Sequence, residues 1–268
     1  MTLLILVQAA LAALVALAYL AGLSRLRRSS TERLEALPGW RVLCFAAGLA
    51  TALAAVAALE GPGRKLLYLA SLQQVLIGDV AALLLVLGLT RPLLRPFARV
   101  PLLGRLSLLA SPPLALPLWL GNAVAWHVPA IYEFAFEHRS LMILQHLLFA
   151  CLGIAVWASL LGPRRYSLGQ SRRLAYLFCW RLIPVIAGNF AIWWPYVIYP
   201  HYVHTDTAYA LSPLADQGIA GAIVFGESAL MILGLLVWLY LLRGRGQAPQ
   251  SLPSAREEPA LATAETSG

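Results

Sequence analysis

Between Trp126 and His146 the chain reads WHVPAIYEFAFEHRSLMILQH, a stretch with three of its five histidines, two glutamates and a methionine. His138, Met142 and His146 are spaced four apart, which stacks them on one stripe of a helix. Imidazole and thioether are ligands that copper accepts, and thioether favours Cu(I). The remaining histidines, His201 and His204, form a second pair further along the chain. A plainer reading stands beside this one: His146 hydrogen-bonds a neighbouring helix, and His138 is an ordinary interfacial residue.

The elements that must position these groups follow from composition. The 268 residues are 60% hydrophobic and 12% charged, about half the charged share of a globular domain. The apolar residues come in blocks of roughly 20, the length a helix needs to cross a bilayer. The expected fold is all-α, a membrane bundle of seven helices over about 2–23, 40–59, 66–89, 106–126, 140–161, 173–197 and 216–242. The first block lacks a basic leader and is followed by Arg25, Arg27 and Arg28, so it reads as a retained anchor. Alternate connections and the C-terminal tail hold sixteen Lys and Arg, against three in the others. The positive-inside rule then puts the N-terminus outside and the C-terminus in the cytoplasm. All five histidines fall on the outer side in that arrangement. The tail, 243–268, is rich in Pro, Ala, Ser and Glu and reads as disordered.

Three charges lie inside the spans: Asp79, Arg181 and Glu227. At about 1.5 Å per residue they sit about 20, 18 and 17 Å from the outer side of a core about 30 Å thick. Intramembrane charges pair or line a cavity, so Arg181 is expected to pair with Asp79, Glu227 or both. Nearer the outer side lie Gln73, Gln74, Asn122, Gln145 and Asn189, which either glue helices together or line a polar vestibule. Prolines 112, 113, 117, 129, 184 and 195 would kink the helices and help to open such a space.

Several function classes receive no support. Cys44, Cys151 and Cys179 stand singly, with no CxxC pair. The net charge of +8 is spread over short clusters between apolar blocks rather than on a nucleic-acid-binding face. No nucleophile–base pair or phosphate loop is visible, so the chain does not read as an enzyme.

Further residues carry a resemblance. Trp126-His127-x-Pro129-x-x-Tyr132, Gln145-His146, Tyr199-Pro200-His201-Tyr202 and Ser212-Pro213-Leu214-Ala215-Asp216-Gln217 resemble the CtaG-type cytochrome c oxidase assembly factors, seven-span proteins of bacterial plasma membranes. The resemblance covers roughly 66–242. It implies a role in maturing a haem-copper oxidase, with copper as the metal handled. Positions 127, 146, 216 and 217 match the family pattern. Span 3 of the family carries His-Met-x-x-His, which falls on Ala70, Ser71 and Gln74 here; a family histidine falls on Met142 and a glutamate on Gln145. Candidate metal ligands are thus His127, His138, Met142, His146, His201 and His204. Asp216 is either a partner to a ligating imidazole or a helix cap. The expected function is oxidase assembly through copper delivery at the outer face of the membrane. Expected partners are an oxidase subunit, membrane lipid and a copper chaperone, with no nucleic acid. Two other readings remain open: a copper or small-solute transporter, and a b-type haem protein.

Overall fold

A computed structural model describes residues 2–29, 38–90, 92–94, 107–161, 168–204 and 211–246. The described residues form helices, turns and no strands. Helix α1 covers Thr2–Ser29 and α2 covers Gly39–Gly63. Helix α3, Leu67–Gly88, changes to π-helical winding over Leu76–Ala81. Helix α4, Pro112–His127, and the short α5, Pro129–Glu137, meet at a bend of 77°. Helix α6 is Arg139–Leu161, α7 is Gln170–Trp193 and α8 is Pro213–Gly246. Six of these are long and apolar enough to cross a membrane, or seven if the bent pair counts as one span. Seven spans were expected, and the difference lies in the fourth. Pro129 fills the first position of α5, where its missing N–H costs nothing, while Val128 before it is held extended.

The last helix continues to Gly246, so residues 243–246 belong to it and not to a disordered tail. Residues 247–268 lie outside the described ones.

Two kinds of contact set the packing. Small residues let backbones meet, as membrane helices require: a Cβ built on Gly153 of α6 would stand 2.0 Å from the Gly78 carbonyl oxygen of α3. Large aromatics fill the half of the bundle away from His127. Trp180 is fully buried and meets Trp119 and Trp157 edge-on, at centroid distances of 5.8 and 4.9 Å. The helix ends near His127 are tied by an aromatic cap of Tyr132, Phe136, Tyr199 and Tyr202. Tyr202 donates to the Gly63 carbonyl (3.0 Å) and its hydroxyl lies 2.8 Å from that of Tyr132. Arg64 donates to the Phe136 carbonyl (2.9 Å) and lies over the Phe136 ring, 4.1 Å from its centroid.

Candidate functional site

Inside the aromatic cap, among helices α3 to α8, lies a cavity of about 460 Å³. Its walls are mostly apolar, with Ile77, Phe149, Ile183 and Val224 among them. The polar groups that reach it are Ser71, Gln73, Gln74, His127, Gln145 and His146, together with the Met142 thioether.

The cavity brings together three of the six candidate ligands. His127 ends α4 and its Nδ1 lies 2.7 Å from the Ala123 carbonyl. A carbonyl only accepts, so Nδ1 carries the proton and Nε2 keeps its lone pair. Met142 and His146 stand one turn apart on α6, each 7% exposed. The other three are placed elsewhere or are undescribed. His138 is an exposed residue between α5 and α6, with Nδ1 2.8 Å from the Phe134 carbonyl. Its ring thus turns back over α5, away from the stripe with Met142 and His146 that spacing suggested. The His201 ring lies tilted against Phe136, with centroids 3.7 Å apart, while the backbone N–H of His201 donates to Glu133 Oε1 (3.2 Å). His204 closes a short 3-10 turn, Pro200–His204, and its side chain is outside the described set. Among the described residues no three His, Cys, Asp or Glu side chains gather as a metal site would need. Any metal held in the cavity therefore relies on sulfur or amide oxygen beside the two imidazoles.

Two residues near the cavity escaped the sequence reading. Gln8 of α1 is 9% exposed and its Nε2 lies 3.1 Å from His146 Nδ1. An amide nitrogen only donates, so in this arrangement His146 Nδ1 accepts and Nε2–H is the ring's donor. Glu60, 7% exposed, accepts a hydrogen bond from Gln73 (3.3 Å). The signal for Gln8 was a lone amide in an otherwise apolar first span. Glu60 fell one residue beyond the end drawn for the second.

Asp216 and Gln217 lie at the rim and work as clasps. Asp216 is fully buried, and its carboxylate accepts from the Leu67 and Tyr68 N–H groups at 2.7 and 2.8 Å. It caps a helix, as one of the two expectations held, but the helix is α3 rather than its own. The carboxylate thereby meets the positive end of the α3 dipole. The start of α8 is served by Ser212, whose Oγ accepts from the Ala215 N–H (3.2 Å). Gln217 accepts from Ile198 N–H (2.8 Å) and donates to the Ala191 and Tyr196 carbonyls (3.2 and 3.3 Å). Its whole amide is spent on the turn after α7. In that turn Tyr199 donates to the His127 carbonyl (3.3 Å). Burial, aided by the Glu133 carboxylate, pushes the Tyr199 phenol up to about 12. The Tyr202 phenol is raised well above its ordinary value, first by burial and then by its neighbours.

Below the cavity the three intramembrane charges meet. The Arg181 Nη1 donates to both Glu227 oxygens, at 2.8 and 3.1 Å, and Nη2 donates to Asp79 Oδ1. Asp79 sits in the π-helical turn of α3, and its backbone carbonyl accepts from Trp157 Nε1 (3.1 Å). A single π turn inside an α-helix redirects side chains locally and is frequent at functional positions. Arg181 thus pairs with both acids, an arrangement of three charges in which each buried ion has a partner. A small void lined by Asp79, Arg181 and Glu227 shares Gln74, His127 and Phe149 with the large cavity. The layer beneath is the cluster of Trp119, Trp157 and Trp180.

Residues 17–244 match a protein family described as the cytochrome c oxidase caa3 assembly factor. No curated relative and no solved structure matches the chain.

Proposed function

The chain belongs to the cytochrome c oxidase caa3 assembly factor family, and on that premise we propose that it holds copper for an unfinished oxidase subunit in the bacterial plasma membrane. The observation that carries this reading is the convergence of His127, Met142 and His146 on one cavity. Copper here is cargo, so a weak and exchangeable ligand set suits the task. His127 offers Nε2 and Met142 its sulfur, both soft enough for Cu(I). His146 joins them once the Gln8 amide turns over and presents its oxygen to Nδ1–H, which frees the Nε2 lone pair. Through that hydrogen bond, Gln8 positions the ligand.

The pairing of Asp79, Arg181 and Glu227 with one another weakens the transporter reading, because each of these groups is already held by a partner within the bundle. The tryptophan layer beneath them, on α4, α6 and α7, adds bulk. The b-type haem reading gains support from two imidazoles on α4 and α6 that line one cavity. A Soret band in the purified protein would decide for haem.

The test of the copper reading has two arms. The purified chain is expected to bind one Cu(I), in competition with a colorimetric chelator. Met142→Leu should weaken that binding about tenfold, and His127→Leu and His146→Leu more, since one ligand lost is worth at least about 1.4 kcal/mol. A strain lacking the gene should show lower oxidase activity and oxidase copper, partly restored by added copper. No copper bound, together with normal oxidase in the deletion strain, would end this reading.

A further inference from the structure

The cavity is far larger than an ion needs. At about 460 Å³ it falls in the range of pockets that enclose small organic molecules. Its lining is that of such a pocket, apolar with a few polar groups on one side. Ser71, Gln74 and Gln145 are unspent among the described residues, and Gln145 is the most enclosed of the three. Gln145 is 5% exposed and lines the cavity, yet its amide makes no hydrogen bond among the described residues. An amide that faces an apolar cavity with no protein partner is available to a ligand bound there. Beside it His146 offers an Nε2–H, because Gln8 donates to its Nδ1. The polar wall is therefore equipped to donate, which suits a carbonyl oxygen.

The way in is sideways. Ile186 and Phe190 of α7 line the cavity and are also 58% and 48% exposed. A wall residue that is half exposed marks an opening, and on a spanning helix that opening faces lipid. Pro184 sits inside α7 just below these positions, where its missing N–H leaves the helix easier to bend.

From the unpaired Gln145, the apolar volume and the lateral mouth, we infer that the cavity binds a membrane-dissolved amphiphile, its carbonyl-bearing head on Gln145 and its hydrocarbon tail along α7 and α8. The chemistry fits a quinone or an acylglycerol equally, since both pair a neutral carbonyl with a hydrocarbon tail. The amphiphile site does not rest on the copper reading, but it uses the same cavity and the other tautomer of His146, so the two ligands would compete there.

The experiment uses the full chain in detergent with a metal chelator present, so that failure here leaves the copper test untouched. Two labelled probes with matching ten-carbon tails, a benzoquinone and a monoacylglycerol, are titrated by equilibrium dialysis. An Ala187→Trp variant, in which the cavity is filled from α7, supplies the background. Saturable binding of one molecule per chain above that background is expected. Gln145→Leu should weaken it about tenfold, the loss of one hydrogen bond. The same variant should unfold at an equal or higher temperature, because it removes an unpaired amide rather than a structural bond. Binding of the quinone alone or the acylglycerol alone supports the site and names the source; binding of both supports the shared carbonyl. The site is refuted if neither probe exceeds the background, or if Gln145→Leu binds as the natural chain does.

Discussion

Arg181 faces two carboxylates, and this imbalance makes the three positions unequal. Removing the guanidinium leaves Asp79 and Glu227 buried against each other with nothing between them. Removing one acid leaves a balanced pair. Arg181→Met should therefore cost about 3–5 kcal/mol in a denaturant titration, whereas Asp79→Asn should cost clearly less. Equal losses in the two variants would mean that the charges do not act as a group. The pairing was legible in the sequence from depth alone, because the three charges are the only ones far inside the apolar blocks. The metal candidates were less legible. Spacing placed His138 on a stripe with Met142, but the helix begins one residue later, at Arg139, and the ring follows the preceding helix instead. Side-chain direction at a helix start depends on the turn before it, which periodicity does not describe. The phenols make a separate statement about pH. Tyr199 and Tyr202 have folded values raised above the ordinary 10, so the folded chain resists losing these protons more than the unfolded chain does. The Tyr199 contribution to stability is complete below about pH 10 and is lost as pH rises through about 12, and Tyr202 acts in the same direction. The unfolding temperature should stay level from neutral pH to about 10 and then fall, and Tyr199→Phe should make the fall smaller.

At the scale of elements, the informative feature is the cap on α3. Leu66, which precedes the helix, has no side chain able to satisfy the first N–H groups, and Asp216 of α8 supplies that oxygen across 149 residues of sequence. A bond to a charged acceptor is worth about 1.5–3 kcal/mol, and two are lost at once in Asp216→Ala. The expected result is a loss of about 3 kcal/mol or more, with faster hydrogen exchange at the amides of Leu67 and Tyr68. Asp216→Asn, which keeps one acceptor, should recover part of it. The sequence offered Asp216 as a cap, but its own helix was the natural candidate, since local spacing cannot show a partner so distant. Pro129 was among the prolines expected to kink helices, and the bend falls there, but the short helix that follows it lay outside the span drawn at 106–126. Gly153 shows the opposite situation, a residue whose role is only steric. Gly153→Val would force α3 and α6 apart at Gly78, and should lower the unfolding temperature even though it adds apolar surface.

For the whole molecule, hydropathy located six of the seven expected spans as single long helices, and the fourth as a bent pair. It works because lipid leaves a helix no choice but to satisfy its own backbone. What hydropathy does not reveal is how the helices come together, because lipid and helix faces are alike in polarity. The cavity is a property of that assembly: helices α3 to α8 all border it, and none of them encloses it alone.

The cap that joins Asp216 to Leu67 and Tyr68 also bears on the order of synthesis. Helix α3 leaves the ribosome long before α8 exists, so it enters the bilayer with its first amides bare. Only when the closing helix arrives does the carboxylate reach them. The chamber is therefore completed only when α8 is made, and a nascent chain released before residue 213 would carry every histidine yet lack the wall formed by Ala220, Gly221 and Val224.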